Sequence, residues 1–236
     1  MFKSALRQAA LATALSLTIG GMALSPAKAA TETWNFNLPT GVPPGGTTQN
    51  YLSSPDMLTA TAAGFASGGL TFTTPTNLFG KNDGLQGGSL ETGLGIANTL
   101  TGNTDNEITQ GVSFIRVTLP TGLTNIQASV SSITGTEEAQ VFGSTSPTSG
   151  YVAVSGIFTA AQQGTLVTLS ACPGCTFFAF TAVTPAGQTT ASDVLLNSIA
   201  GTTAVVPLPG AIGLFGTGLG LIGLLASRRK RKLVAF

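Results

Sequence analysis

The stretch from residue 30 to residue 205 contains many short segments of β-branched and aromatic residues, and none with a sustained apolar period of 3.6 residues. Most of these segments are bounded by Gly, Pro, Ser, Thr or Asn, which favour turns. Their side chains suit a pleated, half-buried surface. The pattern predicts an all-β antiparallel sandwich or barrel, and of the two we expect a jelly-roll-like β-sandwich.

Nine segments are predicted strands. In the first, TWNFNL, the residues Trp34, Phe36 and Leu38 alternate with polar residues and should share one face. The others are GLTFTT, SFIRVTLP, NIQASVSSI, AQVFGS, YVAVSGIF, TLVTLSA, CTFFAFTAV and DVLLNSI. Residues 38–50 and 80–107 are predicted to be the longest loops, and loops at the ends of a sandwich are where binding sites are built.

The charges are few and segregated. Residues 30–205 contain two basic and nine acidic residues, a net charge of −7, whereas other basic residues cluster near the two ends of the chain. A body of this sign is a poor nucleic-acid binder, so no nucleic-acid partner is expected. The chain has no histidine, which removes the commonest general base and the commonest transition-metal ligand.

The first residues are typical of a secretory signal peptide. A short basic segment, MFKSALRQ, precedes an apolar stretch over residues 9–24, and SPAKAA then supplies small residues before a cleavage site. We expect cleavage after Ala29, which makes residues 1–29 the signal peptide. An uncleaved membrane anchor is the alternative, and the short, glycine-interrupted apolar stretch argues against it.

Cys172 and Cys175 are the only cysteines, and an exported protein meets an oxidising compartment. The intervening Pro173 and Gly174 are favoured at the centre of a type II turn, which brings the flanking residues together. A structural disulfide is therefore predicted. A redox Cys-x-x-Cys would need a thioredoxin-like βαβ context, and the sequence shows none.

Asn103, Asp105 and Glu107 occupy alternate positions and are weak candidates for calcium ligands. The residue that follows them, Ile108, stands where an EF-hand would require glycine, and no helix pair flanks the segment. A solvated acidic loop is the favoured interpretation. No cofactor is therefore expected, with calcium left as the minor alternative.

A catalytic site is difficult to assemble from this sequence. Without histidine, a serine or cysteine nucleophile lacks its usual base. Paired carboxylates could hydrolyse glycosides, and Glu91, Glu107, Glu137 and Glu138 are candidates, but nothing in the sequence brings them together. We expect no enzyme activity, and a carboxylate-dependent glycoside-active enzyme is the alternative.

The carboxyl end contains a second apolar segment. Residues 210–226 form an uncharged run of seventeen residues, roughly 25 Å of helix, which is at the short end for a transmembrane helix. A basic tail follows, made of Arg228, Arg229, Lys230, Arg231 and Lys232. By the positive-inside rule the tail stays in the cytoplasm and the body lies outside.

A short proline motif precedes this segment and consists of Val206, Pro207, Leu208, Pro209 and Gly210. Together with the apolar helix and the basic tail, it resembles the PEP-CTERM sorting domain of Gram-negative bacteria, in a variant similar to V-P-L-P-A with Leu208 in place of the usual glutamate. The segments ETGLGIANTLTGNTDNEI, FIRVTL and FFAFTAV to ASDVLLNSI are similar to ectodomains found with this signal.

The resemblance implies that residues 206–232 are a sorting signal recognised by an exosortase, which removes the tail. It also implies an inner-membrane anchor before processing, then delivery to the cell surface or the exopolysaccharide matrix of a biofilm. We therefore expect residues 30–205 to be an ectodomain with a structural or adhesive role, or weak polysaccharide binding. An unprocessed membrane-anchored protein is a further alternative.

Overall fold

The computed structural model describes residues 29–203, except 44, 68, 87, 98–104, 186 and 188–190. The predicted signal-peptide core, sorting motif, transmembrane helix and basic tail lie outside these residues. The described residues belong to one compact unit with an all-β fold. No helix in this part of the chain has the length and apolar character needed to cross a bilayer.

The described part of the chain forms fourteen strands and one short 3-10 turn, Ala160–Gln162. The strands are β1 Thr31–Asn35, β2 Thr48–Leu52, β3 Thr59–Ala66, β4 Pro75–Thr76, β5 Leu78–Gln86, β6 Ser89–Ile96, β7 Ile108–Thr109, β8 Ser113–Thr118, β9 Leu123–Ser131, β10 Glu138–Ser144, β11 Val152–Ala153, β12 Val167–Thr168, β13 Phe177–Val183 and β14 Asp193–Thr203. Every pairing between them is antiparallel.

The first sheet is organised around β14. Its main path runs β12-β9-β14-β6-β5, and β1 and β7 also pair with β14. β7 pairs near the start of β14 at Val194, β6 at Leu196, and β1 from Ser198 to Thr202. β14, the last strand of the described chain, therefore pairs with strands from the beginning and the middle of that chain.

The second sheet follows the order β11-β10-β13-β8-β3-β2, with β4 added to β3. Its central strands carry alternating large apolar residues, because one face of each strand is turned toward the interior. On β8, Ile115 and Val117 are fully buried in the main core, whereas Phe114 belongs to a separate apolar cluster with Phe65 and Ala179.

The two sheets share one main hydrophobic core. Residues from both sheets contribute to it, among them Trp34, Leu196 and Ile199 from the first sheet and Ile115 and Phe180 from the second. Two antiparallel sheets around a common core are consistent with the predicted β-sandwich. The predicted shared face of Trp34, Phe36 and Leu38 is also observed, since the first two are fully buried and Leu38 packs against the same core.

Several predicted segments differ from the structure. GLTFTT is a loop, because Leu70 and Phe72 pack onto the outside of the second sheet instead of pairing. YVAVSGIF and TLVTLSA contribute only the two-residue strands β11 and β12. Conversely, part of the predicted loop 80–107 forms the β5–β6 hairpin. Glycine lowers strand propensity in isolation, but here tertiary pairing outweighs that preference.

Candidate functional site

A buried cluster of charged side chains lies beside the β5–β6 hairpin. Lys81 is on β5, Glu91 is on β6, and Glu107 immediately precedes β7. The Lys81 ammonium contacts Glu91 Oε2 and donates a hydrogen bond to Glu107 Oε1 at 2.6 Å. The side chains of Lys81, Glu91 and Glu107 are 16%, 10% and 6% exposed, so this double ion pair is largely shielded from water.

Ser132, the residue that follows β9, completes the cluster. Its hydroxyl oxygen is 2.8 Å from Glu91 Oε1 and 2.8 Å from Glu107 Oε1. A hydroxyl group has a single proton, so at these equal distances its hydrogen bond is shared between the two carboxyl groups.

The pKa values of the two carboxyl groups in the cluster shift in opposite directions. Burial raises the pKa of Glu107 to about 7, although Lys81 and Ser132 oppose the rise. Burial also acts to raise the pKa of Glu91, but hydrogen bonds from Lys81, Ser132 and protonated Glu107 outweigh it and lower that pKa. Burial acts to lower the pKa of Lys81, and its bonds to the two carboxylates raise it overall. Of the two carboxyl groups, Glu107 is therefore the one that binds a proton more readily as the pH falls toward neutral.

Strand register and glycine positions explain why these side chains meet. Lys81 lies opposite Gly93 in the hairpin, which makes Glu91 its diagonal neighbour on the same face. Gly95 lies under the segment that leads to β7. A Cβ atom there would collide with the Asn106 carbonyl oxygen and approach Glu107 Cα to 2.9 Å. Glycine at this position therefore lets Glu107 lie close to β6.

The other carboxylate candidates lie elsewhere. Glu137 Oε2 accepts hydrogen bonds from the Thr134 amide and hydroxyl at 2.6 Å each, within a local turn. Glu138 begins β10. The structure thus brings together Glu91 and Glu107 alone of the four glutamates considered from the sequence, and it adds Lys81 and Ser132, which sequence analysis missed.

Of the weak calcium candidates, Asn103 lies outside the described residues. Asp105 is exposed, whereas Glu107 Oε1 is occupied by Lys81 and Ser132. Among the residues that the structure describes, no three His, Cys, Asp or Glu side chains are grouped in a way that could hold a metal ion.

Cys172 and Cys175 form a disulfide, with their Cα atoms 5.4 Å apart. The Cys175 amide donates to the Cys172 carbonyl at 3.0 Å, and Gly174 has a φ of 75°. These values define the predicted type II turn. Both cysteines pack against the main core, and a cross-link closing so short a loop contributes at the low end of the ~0–5 kcal/mol range.

A second candidate site is a surface that we call the aromatic face. It lies on the side of the second sheet turned away from the main core, and consists of Arg116 with Phe65, Phe72, Phe114, Tyr151 and Phe177. The Arg116 guanidinium carbon lies 5.2, 5.5 and 5.8 Å from the ring centroids of Phe65, Phe72 and Phe177. The Phe72 and Tyr151 rings stack at 4.9 Å, and both are partly exposed.

Arg116 has an unusual environment for a cation. Its Nη1 donates to the Pro147 carbonyl at 2.8 Å, and its buried Nε has no hydrogen-bond partner in the structure. Within the described residues no carboxylate lies at ion-pair distance from it. Burial lowers the pKa of Arg116, with a smaller opposing effect from Tyr151. The aromatic face thus combines ring surfaces with a cation that no acidic side chain of the described residues neutralises.

Two cavities contain no candidate acid or base. One, of about 540 Å³, borders the disulfide and is lined by residues 121–126, 168–176 and Phe178. The other, of about 290 Å³, is lined by residues that include Leu70, Phe114 and Phe142. Neither is lined by Asp, Glu, Lys or Arg, so neither supplies the side chains that acid–base catalysis would use.

Comparison with known proteins adds no relative, since no family model, no curated protein and no solved structure matches this chain.

Proposed function

We propose that this protein is a non-enzymatic, exported component of the cell surface or exopolysaccharide matrix, with a jelly-roll-like ectodomain and a structural or adhesive role. The observation that carries the proposal is the internal pairing of Glu91 and Glu107. Both carboxylates contact the same ammonium and the same hydroxyl. Glycoside hydrolysis instead needs two carboxyl groups separated by the substrate, about 5–10 Å apart.

The aromatic face is the surface on which this ectodomain binds polysaccharide weakly. Ring faces pack against apolar sugar faces, and a guanidinium supplies several hydrogen-bond donors for hydroxyl groups. The net charge of −7 over residues 30–205 repels polyanions, so a polysaccharide with few charges is the better match.

Retention on a neutral polysaccharide tests this surface. We expect Tyr151→Ala to weaken retention of the exported protein about tenfold, because losing one stacked ring removes roughly 1.4 kcal/mol of binding energy. Val152→Ala is the matched control, since Val152 is an exposed neighbour at 57% and its loss should leave retention unchanged. Equal retention of all three proteins contradicts the proposed surface. Steady release of reducing ends, abolished by Glu91→Gln or Glu107→Gln, contradicts the non-enzymatic role.

The resemblance to PEP-CTERM proteins supports the proposed export to the cell surface or matrix. The apolar segment first holds the protein in the inner membrane. An exosortase then recognises residues 206–232 and removes the tail, and the body passes to the cell surface. The two alternative proposals are an unprocessed membrane-anchored protein and a surface glycoside-active enzyme.

Intact-mass analysis of protein recovered from the cell surface tests the processing step. We expect mature chains to begin at Ala30 and to end between Val206 and Gly210, because the proline motif separates the body from the apolar segment. Chains that still end at Phe236 would contradict processing while leaving a membrane anchor in place.

A further inference from the structure

The Lys81 cluster holds every group needed to join two side chains covalently. An amide bond between a lysine and a carboxyl group requires an amine, a carboxyl carbon that can be attacked, a proton acceptor and a donor that stabilises the oxyanion. The cluster contains one group of each kind, and the four are in contact: the Lys81 amine, the Glu107 carboxyl carbon, the Glu91 carboxylate as acceptor and the Ser132 hydroxyl as donor.

We propose that the Lys81 amine and the Glu107 carboxyl group form an intramolecular isopeptide bond, with Glu91 as the proton acceptor and Ser132 as the hydrogen-bond donor to the reacting oxygen. The bond links β5 to the segment that precedes β7. It is a single, self-directed reaction that consumes no other substrate, and it is independent of the proposed sorting and polysaccharide binding.

The geometry supports this reaction in two ways. Lys81 Nζ is 2.6 Å from Glu107 Oε1, which holds the amine beside the carboxyl group that it would attack. Well-oriented groups positioned in one site reach effective concentrations on the order of 10⁵–10⁸ M. The side chains are also mostly shielded from water. Burial in this site favours the neutral form of the Glu107 carboxyl group and limits the return reaction of the amide with water.

The two glutamates are suited to different tasks. Burial raises the pKa of Glu107 to about 7, so its carboxyl group is available in the neutral form, which is the form that an amine attacks. The pKa of Glu91 is lowered, so Glu91 is ionised and can accept protons from the Lys81 nitrogen, which contacts its Oε2.

The reaction begins with Lys81 as an ammonium, Glu91 as a carboxylate and Glu107 as a carboxylic acid. One ammonium proton passes to Glu91 Oε2, and the freed electron pair on Nζ attacks Cδ of Glu107. The C=O electron pair moves onto Oε1, where the Ser132 hydroxyl stabilises it. Nζ now carries one surplus proton.

The bond between Cδ and Oε2 of Glu107 then breaks as the C=O bond re-forms. The departing hydroxide takes the proton held by Glu91 and leaves as water, and Glu91 receives the surplus proton from Nζ. The products are one amide bond, one water molecule and Glu91 in its acid form. Every proton is accounted for, and no oxidant or other reactant is needed.

Mass spectrometry of the full chain tests the proposal. The purified protein is reduced, denatured, weighed intact and digested. We expect an intact mass lower by one water than the sequence of the mature chain requires, and a branched peptide joining Lys81 to Glu107. A wild-type digest that contains only unbranched peptides covering both residues would overturn the proposal, and so would a branch from Lys81 to Glu91.

Variants separate this bond from other dehydrations. Lys81→Arg keeps the positive charge but removes the amine, so we expect the full mass and no branch. Glu91→Gln removes the proton acceptor and should also prevent the branch, whereas Glu138→Gln, outside the cluster, should retain it. Loss of one water that persists in Lys81→Arg would place the dehydration elsewhere, for example at a cyclic imide of Asp83 and Gly84, and would overturn the proposal.

Discussion

Replacing Lys81 with methionine should lower the free energy of unfolding by about 3–5 kcal/mol at pH 8, because it leaves two buried carboxyl groups without their cation. Methionine has a similar length and fills most of the same space. The decrease in the free energy of unfolding therefore comes mainly from losing the positive charge, and any covalent bond to Lys81, rather than from lost packing. Chemical denaturation followed by circular dichroism measures it.

The loss should depend on pH in a definite direction. Burial already raises the pKa of Glu107 to about 7 in the presence of Lys81, and without the ammonium that pKa rises further. A carboxyl group whose folded pKa is raised contributes its stability below its unfolded pKa, and that stability is lost as the pH rises through the folded value. The destabilisation caused by Lys81→Met should therefore be smaller at pH 5 than at pH 8.

A second substitution provides the control. Adding Glu107→Gln to Lys81→Met removes one of the two uncompensated carboxyl groups and should restore part of the lost stability at pH 8. A loss below 1 kcal/mol in Lys81→Met, or a double variant less stable than the single one, would show that the cluster is not a buried, charge-matched site.

Replacing Trp34 with alanine should cost about 3–5 kcal/mol, the usual range for removing a large aromatic side chain from a core. Trp34 is fully buried, and its indole Nε1 donates to the Leu58 carbonyl at 2.9 Å. Trp34→Phe should cost less, because the ring largely fills the space and only the hydrogen bond to Leu58 is lost, at about 1–3 kcal/mol.

Leu85→Ala is the matched control for this prediction. Leu85 is 75% exposed, so its truncation should change the free energy of unfolding by no more than about 0.5 kcal/mol. Because Trp34 is the only tryptophan, circular dichroism is the appropriate signal for all of these variants. A free energy of unfolding for Trp34→Ala within 1 kcal/mol of the wild-type value would contradict the core role of Trp34.

The fold class could be predicted from the sequence because strand periodicity is local. Alternation in TWNFNL and the apolar content of FFAFTAV follow from which face each strand buries, and both segments pair as expected. Strand β3 was missed because alanine and glycine make up five of its eight residues, and β6 was missed because polar residues and glycine interrupt its apolar positions. Their sequences have weak intrinsic preference, and their pairing depends on neighbours far away in the chain.

The candidate site could be predicted only in part. Glu91 and Glu107 are visible as candidates because acidic residues are few. Their contact with the same groups depends on the register of the β5–β6 hairpin and on Gly95, which lets the backbone at Glu107 lie close to β6. Ser132 gave no signal, since nothing distinguishes it from the many other hydroxyl residues. Lys81 did offer one: it is one of only two basic residues between positions 30 and 205, and a scarce lysine beside a strand is a candidate for an internal ion pair.

The central position of β14 also determines the order in which the body can assemble. β1, β6, β7 and β9 all pair with this strand, yet residues 193–203 are the last of the described chain to be synthesised. Until these residues are available, the first sheet lacks its central strand, and the edges of β1, β6 and β9 that pair with it stay unpaired. The main strands of the second sheet, β2, β3, β8, β10 and β13, all precede β14 in the chain. The second sheet can therefore form early, and the first can only close in one late step. This late closure is compatible with the proposed export, because a secretion channel transports unfolded polypeptide.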